Sequence, residues 1–257
     1  MLLLFFAVGL YYFSSLKEMF RHLGNEESTD YFAGVTLPDF TYQNGVIDRR
    51  GAFIYALQYK YIADSLEKVY KLPKDLKGIL LAIGIRESTG LPFVMNSSDE
   101  FGLGFCHMQP STAHALGLKT FKGCKKLVCP KHSKEFRGVM AKHDYKVLEL
   151  MKHDERLDIV KNLDATARML CNPSKDPNLD QLEKMLAGYH SYTPEVVKAY
   201  AVHIRRNLAD LNNPEFMAGV ADYFEKSNEI SFEECLDLGK KMSKDLIRHS
   251  RQGFLKF

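Results

Sequence analysis

The chain has 257 residues, of which 46% are hydrophobic and 26% are charged, with a formal net charge of +3. This is an ordinary globular composition, with enough apolar residues for a sizeable core in one large domain or two small ones. So small a net charge gives no global field that would indicate nucleic acid as a partner. The segment from Lys119 to Lys146 is basic and would suit an anionic polymer, but a solvated surface excursion is the simpler interpretation.

An uninterrupted apolar run occupies residues 2–13 near the start of the chain. It has the length of a signal peptide and is short for a membrane span, although no basic residues precede it and no clean small-residue cleavage site follows it. We expect residues 1–22 to be an export signal or a short membrane anchor, the alternative being an N-terminal helix that docks in the core. Residues 23–50 are rich in loop and turn signals and are expected to be a linker.

Helical periodicity begins at Gly51 and dominates the rest of the chain. The apolar spacing predicts helices over residues 53–70, 74–87, 111–117, 162–170, 179–189, 194–211, 214–226 and 231–247. Thr193 and Pro194 mark the start of one of these helices as N-cap and first helical residue. Ser231 and Glu234 form a capping box before the last helix. The chain is therefore expected to be mainly α.

The stretch that follows Thr89 is rich in glycine, proline, asparagine and serine. Short extended segments at Phe93–Met95 and Phe105–Met108 make it the one place where strands are expected. Residues 119–160 then carry basic turns and a charged helical stretch, which predicts an insertion against the core. The expected fold is thus helical, with one small β segment after the helix that ends near Glu87.

Glu87 lies on the apolar face of its predicted helix. Ile79, Leu80 and Ile83 share that face, and Glu87 continues it toward the interior four residues beyond Ile83. Burial disfavours a charged carboxylate and raises its pKa, which keeps a carboxylic acid available as a proton donor near neutral pH. Glu87 is therefore a candidate general acid. The alternative is a helix-terminal glutamate that turns into solvent or pairs with a neighbouring cation.

The five cysteines include no CxxC pair and are odd in number, so neither a dense disulfide framework nor a structural zinc site is indicated. Cys124 and Cys129 are close enough in sequence to form a disulfide in an oxidising compartment. His132 lies nearby, but two cysteines and a histidine at this spacing are a weak metal signal. With no phosphate-binding glycine loop either, the sequence predicts no metal and no cofactor.

Four short motifs follow one another along the chain. They are Glu87-Ser88; Gly104 to Met108 leading into Ser111-Thr112-Ala113; Asn162-Leu163 followed by Ala165, Ala167, Arg168 and Leu170; and Leu186 to His190. In this order they resemble the motifs of the lytic transglycosylase family, and an ordered set is more specific than any single motif. The resemblance implies a mainly α, α+β lysozyme-like fold. It implies a catalytic domain over residues 51–211, with the insertion at about 119–160, followed by a C-terminal helical extension over residues 212–257.

The same resemblance implies that Glu87 is the catalytic acid of a peptidoglycan lytic transglycosylase. In this family one carboxyl protonates the glycosidic oxygen between N-acetylmuramic acid and N-acetylglucosamine, and as carboxylate it then accepts the proton of the muramyl 6-hydroxyl. The product is a 1,6-anhydro sugar, formed without water and assisted by the substrate's own acetamido group. Unlike the two-carboxyl glycosidases, this chemistry needs no second carboxylate. Asp99 and Glu100 are near enough in sequence to be tested.

Further site residues are implied by their positions in these motifs. Ser88 matches the family's serine and is expected to hydrogen-bond Glu87 or the substrate, the alternative being a bond to a helix carbonyl. Tyr189 matches the motif tyrosine, whose hydroxyl is expected near the carboxyl. His190 stands where the family has asparagine, and this departure affects substrate fit more than the fold.

The second motif also departs from the family, since His107 stands where glutamine is usual and Gln109 follows two residues later. In an extended segment the two side chains would point to the same side, so either could bind the sugar, and His107 is preferred. An imidazole can donate and accept as an amide does. Because histidine titrates near neutral pH, substrate binding is expected to be pH-sensitive.

These features together predict an exported enzyme, periplasmic or membrane-anchored and facing the cell wall, or carried in a phage particle. Its expected partners are peptidoglycan glycan strands and an envelope-spanning assembly, with membrane contact through the N-terminal segment and no nucleic acid. A hydrolytic muramidase on the same scaffold is the alternative enzyme. The alternative outside enzymes is a non-catalytic wall-binding component of an envelope or phage machine, suggested by the altered residues His107, His190 and Tyr192.

Overall fold

The computed structural model describes residues 49–91, 95, 101–143, 147–191, 193–226 and 228–254. Over these ranges the chain is mainly helical, which confirms the predicted α class. The helices are α1 Arg49–Leu57, α2 Lys60–Val69, α3 Ile79–Ser88, α4 Pro110–Ala115, α5 Pro130–Lys142, α6 Val147–Met151, α7 Ile159–Leu170, α8 Gln181–Ala187, α9 Pro194–Leu211, α10 Pro214–Glu225 and α11 Phe232–Phe254, with short 3₁₀ turns at Lys74–Leu76, Phe121–Gly123 and Glu155–Leu157. The predicted export segment over residues 1–22, and nearly all of the predicted linker, lie outside the described residues.

Helix α3 runs through the centre of the main core. Its residues from Ile79 to Ile85 are all buried, as expected of a helix that is apolar on every side. Helices α1, α2, α7 and α9 pack around it. The carboxylate of Glu67 accepts hydrogen bonds from the amides of Gly78 at 2.9 Å and Leu80 at 3.1 Å, which satisfies free amides at the buried helix start. This central position fixes where the last turn of α3, with Glu87, emerges.

Two predicted helices are divided by breaks that the apolar periodicity does not show. The predicted helix over residues 53–70 is interrupted at Gln58, between α1 and α2. Gly239 of α11 lies against this break so closely that a Cβ on it would stand 3.0 Å from the Gln58 Cα atom. The predicted helix over residues 74–87 is divided at Gly78, whose φ of +92° ends the 3₁₀ turn before α3. The break between α1 and α2 thus lies in contact with a distant helix, α11.

The C-terminal helices α10 and α11 contribute to the main core. Phe224, Phe232 and Cys235 are buried in the same apolar cluster as α3. The predicted capping box is confirmed, since the Glu234 amide donates to the Ser231 hydroxyl at 3.2 Å and the Glu234 carboxylate accepts from the Ser231 amide at 2.8 Å. Among the helices of the described ranges, none combines the length and apolar character needed to cross a membrane.

A second apolar cluster, which we call the minor core, lies mainly in the predicted insertion over residues 119–160. Its buried members are Met95, Phe101, Leu103, Phe121, Cys124, Cys129, Phe136, Met140, Leu150 and Leu157. Because three of these residues precede position 119, the segment does not merely cover the main core. It completes a small core of its own together with the chain that follows α3.

The predicted β segment is reduced to two isolated antiparallel bridges in the described residues, both made by Leu103. The prediction that Phe105–Met108 is extended is wrong. Gly104 to His107 form a tight turn, closed by a hydrogen bond from the His107 amide to the Gly104 carbonyl at 3.0 Å. Gly104 has φ +86° and His107 has φ +43°, left-handed values that suit a turn and not a strand. His107 is therefore presented from a turn next to α3.

Candidate active site

Glu87 lies in the last turn of α3, which ends where Thr89 adopts a left-handed φ of +55°. Its side chain is largely buried but keeps 19% exposure, so its carboxyl can meet an external molecule. Burial raises the pKa of this carboxyl, while the hydrogen bond from Tyr200 and the charge of Arg86 oppose that rise. Glu87 thus holds its proton to higher pH than an ordinary glutamate does, as a general acid must.

Tyr200 provides the hydrogen bond to this carboxyl. Its hydroxyl donates to Glu87 Oε1 at 2.7 Å. Tyr200 is buried on α9, which packs against α3, so the hydroxyl reaches the carboxyl from the neighbouring helix. Burial, and next the negative charge of Glu87, raise the pKa of Tyr200 well above its ordinary value, so the phenol stays protonated and donates.

Sequence reasoning missed Tyr200. The residue lies in the apolar stripe of α9 beside Val197, Ala201 and Ile204, all of them buried. At such a position a tyrosine is usually a core residue whose hydroxyl has a local partner. The available signal is only that this apolar stripe must face another helix, and the sequence does not say that this helix is α3.

Tyr189 and His190 approach the same carboxyl from the end of α8. The Tyr189 hydroxyl donates to the Cys106 carbonyl at 2.7 Å and so fastens the Gly104–His107 turn. Burial raises the pKa of Tyr189 well above its ordinary value, and the charge of Glu87 adds to this effect. The exposed His190 stacks its ring on Tyr200, with centroids 4.0 Å apart and planes at 21°.

His107 faces Glu87 from the turn, with its Nδ1 atom 3.8 Å from Glu87 Oε2. Its Nε2 atom is buried and has no hydrogen-bond partner in the part of the chain that the structure describes. Burial lowers the pKa of His107 to about 4. The expected titration near neutral pH is therefore wrong, because the imidazole is already neutral there. A neutral imidazole can donate or accept one hydrogen bond to a ligand.

Ser88 and Gln109 take other positions than expected. The Ser88 hydroxyl donates to the Gly84 carbonyl at 3.0 Å and the residue is buried, so the helix-carbonyl alternative holds in place of a bond to Glu87. Gln109 is the N-cap residue of α4 and lies beyond the turn. The prediction that the side chains of Gln109 and His107 point to the same side is wrong, because positions 104–107 form a turn and are not extended.

Two glycines allow the turn to approach α3 and the minor core. A Cβ on Gly84 would stand 1.8 Å from the Phe105 ring, so only glycine leaves room for this ring against α3. A Cβ on Gly104 would stand 2.1 Å from the Arg156 carbonyl oxygen, and the φ of Gly104 is left-handed as well. Both glycines therefore hold the Gly104–His107 turn at a close distance from the helix of Glu87.

Asn162, from the third motif, fixes the same turn from α7. Its Oδ1 atom accepts a hydrogen bond from the Cys106 amide at 2.9 Å, and its Nδ2 atom donates to the Arg156 carbonyl at 3.0 Å. The residue is fully buried, so these two bonds satisfy the amide where no water reaches it. Asn162 is thus a support for the turn that carries His107.

We call Glu87, His107, Tyr189, His190 and Tyr200 the Glu87 site. It joins one proton-holding carboxyl, tyrosine hydroxyls and a neutral imidazole at a position open to an external molecule. Asp99, Glu100 and Tyr192 lie outside the described residues. The chain matches no protein-family model, no curated protein and no solved structure. The chemistry of this site and the order of the sequence motifs are therefore the features that bear on function.

Proposed function

We propose that the chain is a peptidoglycan lytic transglycosylase with a lysozyme-like catalytic domain and Glu87 as its single acid and base. The observation that carries the proposal is the geometry of the largely buried Glu87 carboxyl, which accepts a hydrogen bond from Tyr200 at 2.7 Å and lies 3.8 Å from His107. Burial raises the pKa of this carboxyl, in keeping with a general acid. The ordered motifs that contain Glu87, His107, Asn162 and Tyr189 support the same proposal, since parts far apart in sequence meet in one place.

In the first half-reaction, protonated Glu87 donates its proton to the glycosidic oxygen as the bond to the anomeric carbon of N-acetylmuramic acid breaks. The substrate's acetamido oxygen stabilises the positive charge at that carbon. In the second half-reaction, the muramyl 6-hydroxyl attacks the same carbon and gives its proton to the Glu87 carboxylate. The carboxyl ends in its starting form, and no water is consumed.

The neighbours of Glu87 fit these two roles. Tyr200 donates a hydrogen bond that favours the carboxylate formed after the first proton transfer, while burial favours the acid before it. The Glu87 carboxyl can therefore donate a proton and later accept one, because its surroundings favour both the acid and the carboxylate. The neutral imidazole of His107 keeps 16% side-chain exposure and can donate or accept one hydrogen bond with a sugar hydroxyl or acetamido group.

A single carboxylate separates this mechanism from the usual two-carboxyl glycosidases. Of the side chains in the described ranges, those that act on the pKa of Glu87 are Tyr200 and Arg86, neither of which is acidic. Arg86 supplies positive charge beside the site, which suits the carboxylates of a peptidoglycan stem.

The test is digestion of purified peptidoglycan by the full-length chain, with mass spectrometry of the released muropeptides. We expect 1,6-anhydro products, and a loss of about 100-fold to 10,000-fold in the Glu87→Gln variant, the range that one general acid-base group contributes. Glu195→Gln, which changes an exposed glutamate on α9, is the matched control and should retain activity.

Other products would decide between the alternatives. Fragments that carry only reducing ends would identify a muramidase and reject the transglycosylase. Wall binding without soluble fragments, unaffected by Glu87→Gln, would identify a non-catalytic wall-binding component. Export, contact with a membrane and a place in an envelope or phage assembly belong to the proposal, and they depend on residues 1–22. Fractionation of cells that express the chain tests them, since a full-length product confined to the cytosol would reject export.

A further inference from the structure

We propose that Cys124, Cys129 and His132 bind a zinc ion when the two thiols are reduced. The sequence alone gives only a weak metal signal here, but the structure brings the three side chains together. Their sulfur and nitrogen ligand atoms all lie within 4.8 Å of one another. The cluster belongs to the minor core, whereas Glu87 ends the helix at the centre of the main core, so this proposal is independent of the proposed transglycosylase activity.

The three ligands lie at the ends of two helical elements. Cys124 directly follows the 3₁₀ turn Phe121–Gly123, and Cys129 is the N-cap residue of α5, a helix of 13 residues. His132 lies in the first turn of α5, three residues after Cys129. The two cysteines are buried and the histidine is partly exposed, so the ligands are held in place while an ion can still enter. A metal here would join the start of α5 to the 3₁₀ turn.

Basic residues and a helix N-terminus lie next to the cluster. The N-terminus of α5 carries partial positive charge next to Cys129. Lys125 and Lys126 lie between the cysteines, and Lys131 lies between Cys129 and His132. Two thiolates would neutralise a divalent cation, so binding leaves no net charge at the edge of the minor core.

The separation of the two cysteines suits metal ligands. The structure joins their thiols as a disulfide across a Cα–Cα distance of 7.4 Å. Disulfide-bonded cysteines usually have Cα atoms about 4.4–6.8 Å apart. Zinc bonds to sulfur are about 2.3 Å long, so two thiolates on one tetrahedral zinc stand about 3.8 Å apart and permit a wider Cα separation. The same pair can therefore exist as an oxidised disulfide or as a reduced metal site.

The donor set selects zinc among the common divalent ions. Two thiolates and one imidazole are soft and borderline ligands, which magnesium and calcium avoid. Three protein ligands leave one tetrahedral position for a water molecule. Glu135, one turn beyond His132 on α5, is not one of the residues whose ligand atoms come together within 4.8 Å, and its carboxylate accepts from Lys122 Nζ at 3.0 Å. We therefore expect one zinc ion with an open coordination position.

The test uses the full-length chain, stripped of metal and reduced with a phosphine, then given zinc chloride and examined by native mass spectrometry. We expect one zinc ion per chain in the reduced protein and none after oxidation. Cys129→Ser and His132→Gln should each bind zinc at least about 100-fold more weakly, because a structural zinc gains its affinity from all its ligands together. Cys171→Ser, which changes an exposed free cysteine outside the cluster, should bind zinc as the parent chain does.

Cobalt substitution of the unmutated chain keeps the test independent of whether a variant folds. Cobalt bound by Cys124 and Cys129 should give an intense thiolate-to-metal charge-transfer band in the near ultraviolet. Absence of stoichiometric zinc in the reduced chain would overturn the proposal. It would equally be overturned by undiminished zinc binding in a folded Cys129→Ser or His132→Gln variant, or by a cobalt spectrum without the thiolate band.

Discussion

The Glu87 carboxyl and the Asp154–Arg156 ion pair are both buried near the Gly104–His107 turn, but they differ in how completely their polar atoms are surrounded. Glu87 keeps 19% side-chain exposure, and one of its oxygens accepts from Tyr200 while the other faces His107 at 3.8 Å. Asp154 and Arg156 form an ion pair whose side chains are both 0% exposed. A buried ion pair with a structural role is surrounded by hydrogen-bond partners. A buried carboxyl that transfers protons must instead remain open to a ligand and able to gain or lose its proton.

The polar atoms of the Asp154–Arg156 pair form hydrogen bonds with each other and with several backbone groups. The Arg156 guanidinium donates to both carboxylate oxygens of Asp154, and also to the carbonyls of Phe101 at 2.7 Å and Met108 at 3.0 Å. Asp154 in turn accepts from the Phe121 amide at 2.8 Å. The pair thereby ties together both ends of the segment that contains the turn, and connects them to the minor core.

The largest effect is expected from Arg156→Met, which leaves the Asp154 carboxylate buried without its cation. Breaking a buried pair in this way costs about 3–5 kcal/mol of the free energy of unfolding. Chemical denaturation measures it. Lys226→Met breaks an exposed pair with Asp222 and should cost about 0–1 kcal/mol. Equal losses in the two variants would show that the buried pair has no special role.

Gly84→Ala tests whether the turn must lie close to α3. The new Cβ would meet the Phe105 ring, and overpacking of this kind costs about 1–3 kcal/mol in the free energy of unfolding. Muropeptide release should also fall, because His107 moves with the turn. Gly219→Ala, on α10 where a Cβ meets nothing within 4 Å, should be neutral or stabilising. Unchanged activity and stability in Gly84→Ala would contradict the close packing.

Tyr200→Phe removes the hydrogen bond that lowers the pKa of Glu87. That pKa is then expected to rise, since burial remains and its opposing influence is lost. A general acid loses activity as pH rises through its pKa, so the descending limb of the pH profile should move to higher pH. Release of muropeptides over a pH series measures the shift. If Tyr200 only filled space, the rate would change and the limb would stay in place.

His107→Asn is expected to have the smallest effect. Asparagine tolerates the left-handed backbone of position 107 and removes the imidazole ring. Loss of one substrate hydrogen bond should raise KM by about 2-fold to 13-fold, from about 0.5–1.5 kcal/mol. Because burial lowers the His107 pKa to about 4, the variation of KM with pH near neutrality should be the same in this variant as in the unmutated chain. An inflection near neutral pH that the variant loses would contradict this.

Much of the fold follows from local pattern. The spacing of apolar residues predicts α9 at Pro194–Leu211 with both ends correct, and it predicts the capping box at Ser231. It fails at two places where the backbone lies against residues far away in the sequence. Gly239 of α11 packs against the break at Gln58, and the Arg156 carbonyl packs against Gly104 in the turn that contains His107. Contacts between residues far apart in sequence produce no periodic pattern of apolar residues, so apolar spacing and helix propensity do not predict them.

The sequence by itself determined the helical class and placed Glu87 one turn beyond the buried Ile83 on α3, because helical periodicity is a local property. Only the tertiary structure decided what surrounds that carboxyl. Tyr200 is 113 residues away in sequence and meets Glu87 because α9 packs against α3. His107 faces Glu87 because two glycines allow a turn to lie against α3 and Arg156. The pKa of Glu87 depends on these neighbours and on burial, which are properties of the packed molecule.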